Sequence, residues 1–206
     1  MRWRCAISLT VVVLSMMMLN SSMGQRRPYV PATRRYCESD VPLTTLEEFA
    51  WRSQTVLVTG STHVETLLGR NGSARVDAIE LRDESNGARA SGVVLRLRDT
   101  ARETTNRTDE DSRAYIDYDE IDRVIKAWDQ VARTDDTITK LNNFESHYRT
   151  KGDIEIAAFR QTPGGAIAAS VSTGSCDRVR ILLSLDELVK LRHMVAQAKQ
   201  RLDDLK

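Results

Sequence analysis

The sequence is short of aromatic residues, of net charge and of the motifs that mark common enzyme classes. Aromatic side chains make up 5% of the 206 residues, so the hydrophobic core must come mainly from Val, Ile, Leu and Ala. Lys and Arg together number 30 and nearly balance 29 Asp and Glu, with no basic block among them. Electrostatic attraction to nucleic acid or to an anionic membrane surface is therefore not expected from composition.

Motifs for nucleophilic, metal-dependent and nucleotide-dependent catalysis are absent from the sequence. The chain has no G-x-S-x-G elbow, no H-E-x-x-H pair and no Gly-Lys-Ser/Thr phosphate loop. Its histidines, His63, His147 and His193, are far apart in sequence. Cys176 with His147 is the one nucleophile–base pair that can be named, and a disulfide or a buried thiol is the competing interpretation of Cys176. We therefore predict a non-catalytic protein without a metal or a cofactor.

The N-terminus has the pattern of a signal peptide. Arg2 and Arg4 precede an apolar run over residues 5–19, and small residues follow it. This order predicts a cleaved signal peptide over residues 1–24, and hence a secreted or periplasmic protein. An uncleaved N-terminal anchor is the alternative, although the apolar run is short for a membrane span. After cleavage no membrane span is expected.

Two cysteines and two glycosylation-type sequences remain after cleavage. Cys37 and Cys176 can form a disulfide in an oxidising compartment, which would link the N-terminal arm to the last strands, and two unpaired thiols are the alternative. Asn71 and Asn106 each begin an Asn-x-Ser/Thr sequence, which would be glycosylated only in a eukaryotic source. Both asparagines fall in predicted loops, so we expect a glycan at either to leave the core undisturbed.

The chain after the signal peptide divides into an arm and one folded domain. An Arg- and Pro-rich arm is predicted over residues 25–42, and the domain over residues 43–206. The domain is expected to open with a short helix that runs to about Ser53. Thr44 or Thr45 would cap its N-terminus.

Two stretches repeat the order of a short apolar run, a helix cap and an amphipathic helix. They are residues 112–133 and residues 179–198. In the second stretch Ser184 and Glu187 have the spacing of a capping box, in which each side chain bonds the backbone of the other residue. In the first stretch Asp117 and Glu120 have the same spacing, with Asp as the cap. We therefore predict helix caps at all four residues.

Strands are predicted before each of these helices, because apolar and polar residues alternate between turn signals. The turn Asn86-Gly87 predicts a hairpin in which both residues take positive φ. Strands of the first half are expected near residues 62–68, 74–82, 89–98 and 113–117. Four more strands precede the second helix, and Val64-Glu65 is expected to correspond to Phe144-Glu145.

The predicted fold class is α+β, with an internal repeat. Two tandem units, over about residues 55–134 and 135–206, each contain four antiparallel strands followed by a helix, after the short N-terminal helix. A polar insertion over residues 99–112 distinguishes the first unit.

This order of elements resembles the layout of the Whirly family, within the class of single-stranded-DNA-binding regulators. The resemblance covers about residues 55–206 and rests on element order and on the two D/S-x-x-E-[IL] helix starts. It implies a similar fold. A Lys-Gly-Lys-Ala-Ala-like segment of the kind that Whirly proteins have is missing, so no binding residues are carried over. The segments YIDYDEID, FESHYRTKGD and SLDEL also resemble a group of uncharacterised secreted bacterial proteins, which supplies no function.

The first predicted function is an exported non-catalytic module, which binds an unknown protein or envelope partner or has a structural role there. The alternative is a nucleic-acid-binding protein of Whirly-like layout, which needs a basic groove with stacking aromatic residues. Arg96 and Arg98 share one face of a predicted strand, and Arg89 is out of phase with them. Signal cleavage takes the formal charge from +1 to −1, which disfavours nucleic acid as a partner. The oligomeric state is left open.

Overall fold

The computed structural model describes residues 41–100, 110–135, 137–160, 162, 164–174 and 178–205. The predicted signal peptide, nearly all of the predicted arm, Cys37, Cys176 and Asn106 lie outside these residues. The predictions made for them therefore stay predictions. Across the described ranges, no helix is both long enough and apolar enough to cross a membrane.

Three α-helices and eight β-strands are present in the described part of the chain, with a short 3-10 segment, Tyr118–Glu120, before the second helix. In chain order they are α1 (Thr45–Ala50), β1 (Leu57–Gly69), β2 (Gly72–Asp83), β3 (Arg89–Asp99), β4 (Glu110–Asp117), α2 (Ile121–Ala132), β5 (Phe144–Arg149), β6 (Glu155–Arg160), β7 (Ala168–Thr173), β8 (Val179–Leu183) and α3 (Leu185–Asp203).

The strands form two antiparallel sheets, each with its strands in chain order. Sheet 1 consists of β1 to β4 and sheet 2 of β5 to β8. The predicted α+β class, with two units of four strands followed by a helix, is confirmed. The predicted strand bounds are less accurate. β1 begins earlier, at Leu57, and β4 begins inside the predicted polar insertion, because its pairing with β3 continues until Glu110 faces Asp99.

The hairpin between β2 and β3 forms, but its turn differs from the predicted one. Gly87 has a φ of 71°, whereas Asn86 does not have a positive φ. The Gly87 N–H donates to the Asp83 carbonyl at 2.8 Å. The Asn86 side-chain oxygen accepts from the Ala88 N–H at 2.9 Å. One left-handed glycine is enough because the Asn86 side chain bonds the backbone two residues on, as asparagine commonly does in turns.

One hydrophobic core contains residues of both units, because the two helices are exchanged between the sheets. α2, which follows sheet 1, packs against β5 and β6 of sheet 2. α3, which follows sheet 2, packs most extensively against β1, β2 and β3 of sheet 1. The helices also pack against each other. Their buried side chains recur at helical spacing, and they are Ile121, Val124, Trp128, Val131, Leu188, Leu191, Met194, Val195, Ala198 and Leu202.

The first turn of each unit lies against the last strand of the other unit. A Cβ added at Gly69 would approach the Leu182 carbonyl oxygen to 2.7 Å, and one at Gly152 would approach the Tyr115 carbonyl oxygen to 2.0 Å. Both carbonyls lie two residues before the N-cap of the next helical segment. The two units therefore contact each other in the same way, and each contact requires a residue without a side chain.

The strand pairing sets the correspondence between the two sheets. The aligned helix starts make Arg113 of β4 equivalent to Arg180 of β8. Following the paired residues across each sheet from this point makes Arg75 of β2 equivalent to Glu155 of β6. Positions on the two sheets can then be compared one by one.

The same correspondence changes the match predicted for the first strands. Asp77 faces His63, and Ala157, at the equivalent position of β6, faces His147. His63 is therefore the counterpart of His147. The pairing does not support the predicted match of Val64-Glu65 with Phe144-Glu145, and a register shift between His63 and Glu65 makes β1 irregular there.

The short helix α1 covers one end of the outer face of sheet 1, which is the face turned away from the core. Thr44 caps it, because the Thr44 hydroxyl accepts from the Glu47 N–H at 3.0 Å. The helix ends at Ala50, earlier than expected. Its apolar side packs into a second, smaller buried cluster, which consists of Leu46, Phe49, Leu81, Val94 and Tyr115.

Candidate functional site

The two predicted capping pairs have different partners. Ser184 and Glu187 form the capping box: the Ser184 hydroxyl accepts from the Glu187 N–H at 3.2 Å, and the Glu187 carboxylate accepts from the Ser184 N–H at 2.6 Å. Asp117 makes no side-chain bond to its own helical segment. Its two oxygens accept instead from the N–H groups of Thr45 and Leu46, at 2.9 and 2.8 Å. The Asp117 carboxylate therefore caps α1.

Glu120 does not act as the second half of a capping box either. Its Oε1 accepts from the Lys151 N–H at 3.0 Å. The Lys151 ammonium lies 3.5 Å from the Asp117 carboxylate. Both predicted caps therefore serve the junction at which α1 and the turn between β5 and β6 meet the end of β4. Asp117 occupies the N-cap position of its segment, as predicted. The side chains of Asp117 and Glu120 bond partners that are distant in sequence, and local spacing carries no information about those partners.

The described residues contain no candidate metal site. No group of three or more His, Cys, Asp or Glu side chains within those ranges is arranged to hold a metal. The suggested pairing of Cys176 with His147 falls outside the described residues, as does the disulfide between Cys37 and Cys176.

Asn71 connects the two units. Its amide nitrogen donates to the Arg180 carbonyl at 2.8 Å, and its amide oxygen accepts from the Leu182 N–H at 2.7 Å. The neighbouring Arg70 N–H donates to the Leu182 carbonyl at 3.0 Å. The Asn71 side chain thus pairs with β8 as a strand backbone would. The nitrogen that would carry a glycan is the one bonded to β8, so Asn71 is held by the other unit rather than lying free in a loop.

The most distinctive charged surface lies on the outer face of sheet 1. Arg75, Arg96 and Arg113 face one another directly on β2, β3 and β4. Arg98 lies two residues beyond Arg96 on the same face, and all four side chains are exposed. We call these four residues the arginine face. Neighbouring strands are about 4.8 Å apart, and like charges placed directly opposite each other destabilise a sheet.

A buried carboxylate lies beside this row. Asp77 is 2% exposed. Arg75 Nε donates to both of its oxygens, at 2.9 and 3.0 Å, and His63 Nδ1 lies 3.0 Å from Oδ1. Arg96 Nε is 3.7 Å away, beyond hydrogen-bonding distance. Asp77 therefore compensates the charge of Arg75 well and that of Arg96 weakly.

The excess positive charge is greatest at Arg96 and Arg113. Arg113 Nη1 lies 3.5 Å from the Tyr115 hydroxyl and forms no ion pair with any described residue. Arg96 has Asp77 as its nearest carboxylate within the same ranges. Of these two guanidinium groups on adjacent strands, one therefore has a carboxylate at 3.7 Å and the other has none within ion-pair distance among the described residues.

His63 also links Asp77 to a hydroxyl, in the order of a catalytic triad. Its Nε2 lies 3.5 Å from Thr66 Oγ1, and its Nδ1 contacts Asp77. Two features separate this group from a working triad. The hydroxyl contact is at the limit of a hydrogen bond, and Arg75 already holds both oxygens of the carboxylate that would have to stabilise an imidazolium. The group is better described as the fixed border of the arginine face.

The equivalent face of sheet 2 has its arginines compensated. Glu155 accepts from Arg149 Nη2 at 2.9 Å and from Arg178 Nη1 at 3.1 Å, with Arg180 Nη2 at 3.8 Å. Arg178 Nη2 also donates to Asp153 at 3.1 Å. Burial raises the pKa of Glu155, but the hydrogen bonds and charges of Arg178 and Arg149 outweigh it, so that its pKa lies below the usual range.

Only part of the arginine face can be predicted from the sequence. Alternation places Arg96 and Arg98 on one side of a strand and Arg89 out of phase, and the pairing of Arg89 with Arg82, away from that side, agrees. Arg75 and Arg113 were missed as members of the surface. The alternation within β2 and β4 assigns each to a face, but the row exists only once the register of three strands is known.

The chain as a whole was compared with protein-family models, with curated proteins and with solved structures, and none matches. The geometry of the arginine face and the sequence are therefore the evidence that bears on function.

Proposed function

We propose that the protein is an exported, non-catalytic binding module, and that the arginine face binds an anionic group of a partner in the periplasm or outside the cell. One observation carries the proposal: Arg75, Arg96 and Arg113 lie in register on three adjacent strands, with Asp77 as their only close carboxylate in the described chain. Export is supported by the signal-peptide pattern of residues 1–24.

The positive charges of Arg75, Arg96 and Arg113 repel one another across the sheet. Cross-strand pairs change sheet stability by roughly 0.2–1 kcal/mol each, and like charges act unfavourably. The fold does not require such a row, because sheet 2 has Glu155 in place of Arg75. A bound anion would remove the repulsion and gain charge-assisted hydrogen bonds from guanidinium groups. Binding is therefore the use that best explains why the arginines lie together.

Single-stranded nucleic acid is the alternative partner, favoured by the Whirly-like layout and by the affinity of arginine for phosphate. Such binding also uses exposed aromatic residues on which bases stack. Tyr115 is the aromatic residue in contact with the row among the described residues, and it is 7% exposed and packed beneath α1. Asp77 and Asp111 interrupt the positive surface at two of its borders. These features favour a discrete anionic group, rather than a continuous nucleic-acid strand, as the ligand.

A titration with two labelled polyanions tests the proposal. Fluorescence anisotropy would follow binding of a poly-glutamate peptide and of a single-stranded oligonucleotide of the same charge to the purified chain. The double variant Arg96→Gln, Arg113→Gln should bind less than the parent, and salt should weaken binding because the contacts are exposed. The matched control is Arg180→Gln, which changes the equivalent arginine on sheet 2 and should have no effect.

The outcomes separate the hypotheses. If the double variant bound as well as the parent, or if neither polyanion nor any small inorganic anion bound at low salt, the arginine face would not be a binding surface. If the oligonucleotide bound much more tightly than the peptide and retained its affinity in high salt, a base-stacking contact would be indicated, and nucleic acid would replace the first proposal.

A further inference from the structure

We infer that the group recognised by the arginine face is a single tetrahedral oxyanion of the phosphate or sulfate type, held between Arg96 and Arg113. This inference rests on the proposed function and specifies the chemistry of its ligand. The two residues face each other directly on β3 and β4, and neither has a carboxylate within hydrogen-bonding distance in the described chain.

The arrangement of the two guanidinium groups favours a tetrahedral anion. The Cβ atoms of directly opposed residues are about 4.5–5.5 Å apart, and side chains in strands stand roughly perpendicular to the sheet. Each guanidinium is a planar fork of N–H donors. An anion between two forks must therefore accept from both sides. A phosphate or sulfate monoester has three unesterified oxygens that point in different directions, so it can bond both forks at once.

The carboxylate already present on this face leaves the space over Arg96 and Arg113 open. Asp77 bonds Arg75 through both oxygens, at 2.9 and 3.0 Å. Because it is fixed to β2, it comes no closer than 3.7 Å to Arg96. On sheet 2, where one carboxylate does bond two guanidinium groups, a single oxygen, Glu155 Oε2, accepts from both Arg149 and Arg178. A tetrahedral anion can instead offer each fork an oxygen of its own.

The borders of the site limit the size of the ligand. Asp77, on β2, lies at the border toward β1. Asp111, on β4, faces Arg98 of β3 and forms another border. Both carboxylates repel an anion, so they confine it to the space over β3 and β4. The Tyr115 hydroxyl, 3.5 Å from Arg113 Nη1, can donate to an anion oxygen. A single group fits between these borders, and an extended polyanion would have to cross a carboxylate.

Binding of three small anions to the purified chain tests the inference. Isothermal titration calorimetry at constant ionic strength would compare inorganic phosphate, inorganic sulfate and acetate. The extra charge-assisted hydrogen bonds should make phosphate or sulfate bind about tenfold more tightly than acetate. The stronger of the two identifies whether the natural source bears phosphate or sulfate groups. The arginine Nε–Hε signals in NMR spectra should shift at Arg96 and Arg113 and not at Arg180.

Lysine variants separate the effect of the planar guanidinium group from the effect of its positive charge. Arg96→Lys and Arg113→Lys keep the charge but lose the planar fork, and each should weaken phosphate or sulfate binding by about tenfold, the effect of losing one pair of charged hydrogen bonds. Arg180→Lys is the matched control and should bind as the parent does. Far-UV circular dichroism would show that each variant is folded, and the NMR signals of the parent chain decide the question if a variant is not.

The inference would be overturned by acetate binding as tightly as phosphate and sulfate, by Arg180→Lys losing as much affinity as the other variants, or by lysine at positions 96 and 113 binding as well as arginine. Its failure can be distinguished from failure of the proposed function. If poly-glutamate binds through Arg96 and Arg113 while the tetrahedral anions do not, only the ligand chemistry is wrong. If no anion binds, both proposals fail.

Discussion

The outer faces of the two sheets have the same strand order and opposite electrostatic designs. On sheet 1, Asp77 pairs closely with Arg75 and weakly with Arg96, and Arg113 has no ion pair in the described chain. On sheet 2, Glu155 pairs with both Arg149 and Arg178. The difference lies at two of the three positions in the row, since Arg75 corresponds to Glu155 and Arg96 to Ser172. Because sheet 2 folds with compensated charges, the uncompensated row on sheet 1 is not needed by the architecture.

The ends of the two sheets also differ, because their capping residues serve different helices. Ser184 caps the helix that follows it, whereas Asp117, at the equivalent position, caps α1. In the first unit, Asp117 therefore holds an additional element, α1, over the outer face of sheet 1. Only sheet 1, among the described elements, combines a covered end with an open arginine row.

The largest effect is expected from the core that the two units share. Trp128 is completely buried, and Trp128→Ala should lower the free energy of unfolding by about 3–5 kcal/mol, because it leaves a large cavity. Val195→Ala, at the equivalent position of α3, should have a smaller effect because fewer atoms are lost. Urea denaturation measures both changes. Amide hydrogen exchange in β2 and β6 should accelerate together, and loss of protection in one sheet alone would contradict a shared core.

The contact between the two units should be the next most sensitive feature. Gly152→Ala would place a Cβ 2.0 Å from the Tyr115 carbonyl oxygen, so backbone must shift, and we expect a loss of about 2–3 kcal/mol by the cost of overpacking. Gly60→Ala is the control, because its Cβ would lie 3.9 Å from the nearest atom. Thermal or urea denaturation would compare them. Equal stability of the two variants would show that the turn is not held against β4.

Removing the central carboxylate of sheet 2 should make its outer face resemble that of sheet 1. Glu155→Gln leaves Arg149, Arg178 and Arg180 with less negative charge, so the variant should be less stable by about 1–2 kcal/mol at neutral pH, as expected for lost charged hydrogen bonds. It should also gain phosphate binding in calorimetry. An unchanged affinity would mean that uncompensated arginines alone do not make an anion site.

The stability difference between the parent and Glu155→Gln should depend on pH. The pKa of Glu155 is lowered in the folded protein, so its contribution is fully present above its unfolded pKa of about 4.3. It is lost as the pH falls through the folded pKa, because the protonated group no longer pairs with arginine. Urea denaturation at pH 7 and at steps below pH 4 should show the two proteins converging, and a constant difference would argue against the ion pairs.

The smallest effect is expected at the caps. Asp117→Ala removes two hydrogen bonds to the start of α1 and should lower stability by about 1–2 kcal/mol, and Ser184→Ala should cost about 1 kcal/mol at α3. The effects differ in location as well as size. Hydrogen exchange should accelerate at Leu46 in the first variant and not in the second. Acceleration at the start of α2 instead would restore the predicted local cap.

The elements predicted from sequence are those specified by neighbouring residues. The alternation in β2 and β3, the capping box of Ser184 and Glu187, and the apolar stripe of α3 all depend on residues a few positions apart, and all are present. The features that were missed depend on distant pairs. Asp117 bonds residues 71 and 72 positions earlier, and Asn71 pairs with a strand of the other unit.

The arginine face also depends on pairs of residues that are distant in sequence. Each arginine of the row can be assigned to a strand face from local alternation, but two independent registers must be known before Arg75, Arg96 and Arg113 form a line. A shift by one residue in β2 or β4 would move its arginine to the opposite face. Similarly, nothing in the amphipathic pattern of α2 indicates which sheet the helix covers.

The exchange of helices has a consequence for the order in which the protein can fold. The apolar side of sheet 1 is covered by α3, which comes after all eight strands in the chain. During synthesis, the first four strands are complete long before the helix that shields them exists. Until then their hydrophobic surface can attract other chains. The protein can therefore reach its native state only after the whole of Leu185–Asp203 has been made.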